Sequence, residues 1–292
     1  MSGSSLSFAA EELDSSSGNA NAPVNILLSF RFLICFTFSS SCLLLPFFPV
    51  RDDGNLGSAI SKQEWLNLTK EILPPLIDPK YGSHQVMLLA AAVLSKGPIV
   101  ECGSGYYSTV LLHKLSRLSR YFPPDRSLLT IDTNEKWLKK FYNLSSANHR
   151  IRLLQEKNDE ALMFRWYNIF ANCSRGQYGL VLVDHHPAWS RTVTALQVAN
   201  CSQLVVMHDT DMEGMQYFRF WPAVNAYCCK VESHYFGLRG VMALSNDEVE
   251  GRQLINQVTT LLWWYLESHH PPVELHSMWK ADIFVKLIQP YL

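Results

Sequence analysis

The chain has 292 residues, 48% of them hydrophobic and 17% charged, with 25 basic against 26 acidic side chains and a net charge of −1. That length holds one large α/β domain with an appendage, or two small domains, and the composition is that of a globular protein with a substantial core. The near-neutral balance, with both signs interspersed, excludes the clustered basic face that a nucleic-acid partner requires.

Residues 1–24 are rich in Ser, Ala, Gly and Asn and carry only Glu11, Glu12 and Asp14 as charges, so a flexible terminus is expected. Residues 25–50 reverse that composition, with no charge between Arg31 and Arg51. A bilayer-crossing helix needs about 20 such residues. Ser39, Ser40 and Ser41 sit mid-span, however, and Pro46 and Pro49 break a helix. Two readings stand for residues 26–50: a membrane anchor or uncleaved signal, or a buried or disordered leader. Residues 51–60 read as a polar linker and 61–292 as the main domain, with a core over 81–244 and a helical extension over 245–292.

In residues 61–73, Ser61 is followed three residues later by Glu64, a capping-box pattern opening an amphipathic helix that Pro74 and Pro75 stop. Residues 85–94 form a strongly apolar helix. Strand-like apolar runs then appear at 99–102, 128–132, 151–155, 180–184 and 204–208, separated by helical stretches, one of them at 134–142. Such alternation predicts a parallel sheet covered by helices on both faces. Residues 229–236 and 239–244 read as a closing antiparallel strand pair, and 254–266 as a helix rich in aromatics. The seven cysteines are too scattered for a disulfide framework, and none forms a Cys-x-x-Cys pair, which argues against structural zinc. Cys228 and Cys229 read as one thiol at the core's edge and one within it. Asn67, Asn143, Asn172 and Asn200 open Asn-x-Ser/Thr sequons, about half of which chance supplies in a chain this rich in Ser and Thr.

The chemistry concentrates first in residues 98–112, PIVECGSGYYSTVLL. A buried strand ends in Glu101, then Gly103, Ser104 and Gly105 lead into a helix beginning near Ser108. Glycines permit a sharp turn and close backbone approach to a ligand, and the helix offers unpaired N–H groups. A dinucleotide site wants a third glycine where Ser108 stands, and Glu101 would repel a pyrophosphate; beside a cationic ligand the carboxylate is favourable. A plain structural turn is the alternative.

This strand, acid, Gly-x-Gly and helix resemble the class I S-adenosylmethionine-dependent methyltransferases. The resemblance covers about half of the chain and implies a Rossmann-like, doubly wound, mostly parallel seven-stranded sheet with helices on both faces and an antiparallel C-terminal strand. It implies that Glu101, Gly103, Ser104, Gly105 and Ser108 cradle the cofactor, that Asp132 binds the ribose hydroxyls, and that Asp159 lies near the adenine amino group. Asp132 as the N-cap of the helix at 134–142 remains the other reading.

Asp184, His185 and His186 end the fourth strand, and His208 and Asp209 end the fifth. Apolar strands that stop in such clusters place titratable groups where open α/β sheets bind ligands. The pair also resembles small-molecule O-methyltransferases whose fourth strand ends in Val-Asp and fifth in His-Asp. Metal-dependent members carry a lysine after the fourth-strand acid and an Asp-Asn pair after the fifth; here stand His185-His186-Pro187 and Asp209-Thr210. The expectation is methyl transfer from S-adenosyl-L-methionine to a small-molecule oxygen. His186, His185 or His208 would act as base, and Asp184 and Asp209 would either orient it or bind magnesium. All five residues are expected to converge over the methyl group. A catalytically silent, membrane-tethered scaffold and a nicotinamide oxidoreductase are the rival readings.

Overall fold

The apolar runs that end at Gly103, Asp132, Asp184 and His208 become four neighbouring strands of one sheet. The computed structural model describes residues 60–78, 81–210, 221–233 and 239–269, all within the second of the chain's two units, Asp53–Leu292. Segments 1–24, 25–50 and most of the linker lie outside the described residues, as do 234–238 and the end of the C-terminal extension. No described helix is long and apolar enough to cross a membrane, and residues 26–50 are not among those described.

The chain opens with helices α1 (Lys62–Ile72) and α2 (Gln85–Leu94), followed by β1 (Ile99–Cys102), α3 (Thr109–Ser116), β2 (Leu128–Asp132), α4 (Glu135–Leu138), β3 (His149–Leu153), α5 (Asp159–Phe170) and β4 (Tyr178–Val183). It continues with α6 (Arg191–Val198), β5 (Ser202–His208), α7 (Trp221–Asn225), β6 (Cys229–Ser233), β7 (Val241–Ser245) and α8 (Glu250–His269). The strand order is β3-β2-β1-β4-β5-β7-β6, and β7 alone runs against the others. This is the Rossmann-like doubly wound sheet with its antiparallel C-terminal strand. The order reverses between β1 and β4, the switch point where such sheets open a crevice at the carboxyl ends of the strands.

Side chains alternate across the sheet with period two and feed two cores. Leu180, Leu182, Leu204 and Val206 pack with α1, α2, α3 and α8; Val181, Val183, Val205 and Met207 pack with Trp166, Phe170, Ala195 and Val198 of α5 and α6. Helix α2 is apolar on every side and buried almost throughout, as a helix of that composition must be. Ser61 caps α1 by accepting from the Glu64 amide at 3.3 Å, while the Glu64 carboxylate turns away to accept from the Tyr121 hydroxyl at 2.7 Å, so only the serine half of the capping box is made.

Several elements depart from the sequence expectation; β4 and β5 each begin two residues before the runs expected from 180 and 204, and β7 begins two residues after 239. Strand β3 begins two residues early because His149 is buried and pairs with Leu128. The helix expected over 134–142 is a single turn, α4, followed by 3-10 backbone over Lys139–Leu144. Helix α8 extends beyond both ends of 254–266. Cys229 is buried and Cys228 exposed.

There is no disulfide framework, but among the described residues one bridge forms: Cys173, after α5, is bonded to Cys201, before β5, with Cα atoms 5.7 Å apart and a sequence separation of 28. Closing a loop of that size removes unfolded-state entropy equivalent to about 3.5 kcal/mol. The Cys173→Ser, Cys201→Ser double variant should therefore unfold about 10 °C lower than the oxidised protein in a calorimetric scan, and reductant should lower the wild type to the same value.

Candidate active site

The switch point is built around Gly103. Its φ is +95°, and a Cβ there would lie 2.3 Å from the Asp184 carbonyl oxygen, so only glycine lets the exit of β1 pass against the exit of β4. The close approach that the sequence assigns to a ligand is made to neighbouring backbone. Gly103→Val consequently breaks this junction and is not a clean test of ligand binding. Gly105 has only the Ser108 hydroxyl near, 3.1 Å from where a Cβ would stand.

Asp132, at the end of β2, holds the loop in place. Its Oδ2 accepts from the Ser104 amide and from the Ser104 hydroxyl, each at 2.6 Å, and its Oδ1 accepts from the Asn134 amide at 2.8 Å. The N-cap of α4 is Asn134, whose side chain accepts from the Trp137 amide at 3.0 Å, so Asp132 is not the cap. Trp137 Nε1 in turn donates to the Ser104 carbonyl at 2.8 Å. Gly103, Ser104, Asp132, Asn134, Leu162, Asp184, His186 and Arg191 line a cleft of about 770 Å³, the size range of small-molecule sites.

Glu101 does not reach this cleft. It is fully buried beneath the loop, where it accepts from Thr130 Oγ1 at 2.6 Å and Thr109 Oγ1 at 3.0 Å. Burial pushes its carboxyl up to about 8, although hydroxyls from Ser108, Thr130 and Thr109 pull the other way. Ser108, also buried, serves this acid rather than the cleft. Thr130 Oγ1 lies 2.8 Å from His149 Nε2, whose imidazole burial holds down at about 4. Asp159 opens α5 and faces His186 across 3.4 Å, both side chains largely exposed.

The ends of β4 and β5 carry the densest electrostatics. Asp184 Oδ2 lies 3.2 Å from His208 Nδ1, and His208 Nε2 lies 3.1 Å from the hydroxyl of Ser83. Arg191 bridges the two strand-end acids, 3.0 Å from Asp184 Oδ1 and 2.9 Å from Asp209 Oδ2, and donates through Nε to the His185 carbonyl. Asp209 adopts φ of +59°, a left-handed conformation uncommon outside glycine, which turns its carboxylate back toward Arg191. Arg239 Nε lies 3.8 Å from Asp209 Oδ1. Burial disfavours charge on both Asp184 and His208. Arg191, then His208, nonetheless hold Asp184 well below the carboxylate range, and Asp184, then Asp209, hold His208 above its ordinary 6.5.

The five strand-end residues do not all converge. His185 is buried, stacked on Trp166 at 4.2 Å with Nε2 2.8 Å from Thr194 Oγ1, and burial with Arg191 nearby holds it neutral at about 3. It packs beneath the sheet edge. His186 stays at the exposed rim with Asp159. Asp184, His208 and Asp209 do meet, and three residues absent from the sequence expectation join them: Arg191, Ser83 and His84. His84 is buried with neither ring nitrogen partnered, its centroid 4.5 Å from that of His208. Burial, then His208, hold it neutral at about 3.

Asp184, His208 and Asp209 each place one ligand atom within 4.8 Å of the others, but the two carboxylates already grip a guanidinium. Magnesium demands near-octahedral oxygen donors, and a fixed cation at the same oxygens opposes it. The residues present do not fit that ion.

The Glu101 environment yields a pH test. In the unfolded chain its carboxyl releases a proton near 4.5, in the folded chain near 8, so stability falls as pH rises through that window. Glu101→Gln removes the ionisation and should be more stable than wild type at pH 8 by up to about 5 kcal/mol, and little changed at pH 4.5, in urea unfolding.

No protein-family model and no curated protein matches the sequence. Among solved structures, an O-methyltransferase from Bacillus cereus in complex with SAH is similar at 14% identity and TM-score 0.38, over 63% of this chain and 90% of that one. A methyltransferase from Geobacter sulfurreducens is similar at 12% and 0.36, over 63% and 86%, and the human methyltransferase 10 domain containing protein at 10% and 0.36, over 64% and 99%. At these values the fold assignment rests on the observed strand order.

Proposed function

We propose that the protein transfers a methyl group from S-adenosylmethionine to an oxygen of a small-molecule acceptor. The observation that carries this reading is the hydrogen-bonded line Asp184–His208–Ser83, which shares Asp184 with the cleft formed by Gly103, Ser104 and Asp132. The cleft fits the cofactor: its volume suits the ligand, Asp132 offers a carboxylate at its floor, and the following loop offers polar groups. When bound, the cofactor supplies an electrophilic methyl on a sulfonium centre.

The chain's own residues supply the rest. Asp184 orients His208 through Nδ1 and leaves Nε2 facing Ser83, whose hydroxyl passes the acceptor proton to the imidazole. His84, buried beside His208 with both ring nitrogens unpartnered, is the group we assign to hydrogen-bond the acceptor. Arg191 fixes both acids in place of a metal ion. A nicotinamide reading is opposed by Ser108 at the third-glycine position, and a silent scaffold by a buried relay that packing does not need. A membrane tether through residues 26–50 is the reading we carry forward from the uncharged run 32–50; recovery of the full-length chain in a detergent-free soluble fraction would overturn it.

S-adenosylhomocysteine should raise the melting temperature where NAD does not, and Asp132→Ala should weaken its binding by about tenfold or more in calorimetry. With an acceptor in hand, His208→Gln should lower turnover by about 10²-fold or more, Ser83→Ala by about tenfold, and neither should change S-adenosylhomocysteine affinity. Turnover should be insensitive to EDTA and rise with pH through a value above 6.5, as the raised His208 loses its proton. Full activity in His208→Gln, or loss with EDTA restored by magnesium, overturns the relay.

A further inference from the structure

The two bridged cysteines share a second property. Cys173 is the central residue of Asn172-Cys173-Ser174, and Cys201 of Asn200-Cys201-Ser202, so each half of the disulfide sits inside an N-glycosylation sequon. Both asparagines are exposed, one in the turn that leaves α5 and the other in the turn between α6 and β5. We propose that this domain folds in an oxidising, glycan-adding lumen and carries N-linked glycans at Asn172 and Asn200 beside the closed Cys173–Cys201 bridge.

Two independent features support this. A structural disulfide is characteristic of oxidising compartments and rare in the cytosol, and Cys201 is buried, so the pair is shielded once closed. The sequon positions are also sterically suitable. Strands β4 and β5 run parallel, with Ser174 preceding Tyr178 and Asn200 preceding Ser202, while Asp184 and His208 lie at the far ends. Glycans at Asn172 and Asn200 therefore project from the amino-terminal edge of the sheet, the length of a strand from the cleft. Asn143 is also exposed, and its segment precedes β3 at the same edge. The Asn200 side chain accepts through Oδ1 from Asn246 Nδ2 at 2.9 Å, and the nitrogen that a glycan joins takes no part in that bond.

The chemistry balances with co-reactants of that compartment. Each asparagine Nδ2 loses a proton and bonds to the anomeric carbon of a lipid-diphosphate-linked oligosaccharide, whose carbon–oxygen bond breaks and whose lipid diphosphate leaves. The two thiols surrender two protons and two electrons to a disulfide-bearing oxidant, which is reduced to its dithiol.

The test uses the full-length chain expressed in eukaryotic cells under its own N-terminal sequence, with thiols blocked by N-ethylmaleimide at lysis. Peptides are treated with N-glycosidase in ¹⁸O water and mapped without reduction. The expected result is a linked 173–201 peptide free of maleimide, with Asn172 and Asn200 converted to ¹⁸O-labelled Asp, and loss of the corresponding gel-mobility shift in Asn172→Gln, Asn200→Gln. Maleimide on both cysteines, or both asparagines unlabelled, overturns the proposal. Neither readout depends on methyl transfer, so this inference and the proposed function fail separately.

Discussion

Two carboxylates at the ends of adjacent parallel strands repel one another, and the guanidinium of Arg191 is what allows Asp184 and Asp209 to stand side by side. Much at this edge follows from that bridge. Asp184 stays ionised, so it can orient His208; Asp209 accepts a left-handed backbone because its carboxylate is gripped; and the Arg191 Nε–H satisfies the carbonyl of His185 as the chain leaves β4. A planar fork with five donors does this where a lysine could not, since acceptors on Asp184, Asp209 and His185 are engaged in different directions. Removing one partner of such a group leaves a charge without compensation, which is costlier than the pair's net contribution.

The acids at strand ends are treated in opposite ways by their surroundings. Glu101 is fully buried among hydroxyls, with Asp132 as a further repulsive charge, so burial wins and the carboxyl rises to about 8. Asp184 meets Arg191 and His208, so charge wins and it falls. Two residues that look alike in sequence, each closing an apolar strand, thereby become a neutral structural hub and a permanent anion. The first ties β1, β2 and α3 together through Thr130 and Thr109; the second faces the cleft.

The strands β1 and β2 were legible to the residue because apolar runs end there at unambiguous polar neighbours, and the sheet's layering followed from alternation. Strand β3 was less so: His149-Arg150-Ile151-Arg152-Leu153 alternates polar and apolar residues, and its first member is a buried histidine. In the site, Asp184, His208 and Asp209 could be found from their strand ends. Arg191 could not, since an arginine opening a helix looks solvated until its side chain is seen reaching back to the sheet. Ser83 and His84 lie more than 100 residues before His208 in sequence, and the available signal was slight: two polar residues after Gly82, immediately before a helix with no charge at all.

Helix α2 gives Ser83 and His84 an unusual mounting. Met87, Leu88, Leu89, Ala90, Ala91 and Ala92 are all fully enclosed, so this helix has no solvent face along which to slide or rotate. The donor loop is equally fixed, because the Gly103 backbone rests against the Asp184 carbonyl. The Gly103 loop and the segment carrying Ser83 and His84 thus both rest on the same closely packed core. On the proposed reading, substrate preference can then change only where the frame is not involved, at side chains of surrounding loops, while a core substitution beneath α2 as small as Ala90→Val would shift Ser83 and His84 against His208 and be felt as lost turnover before it was felt as lost fold.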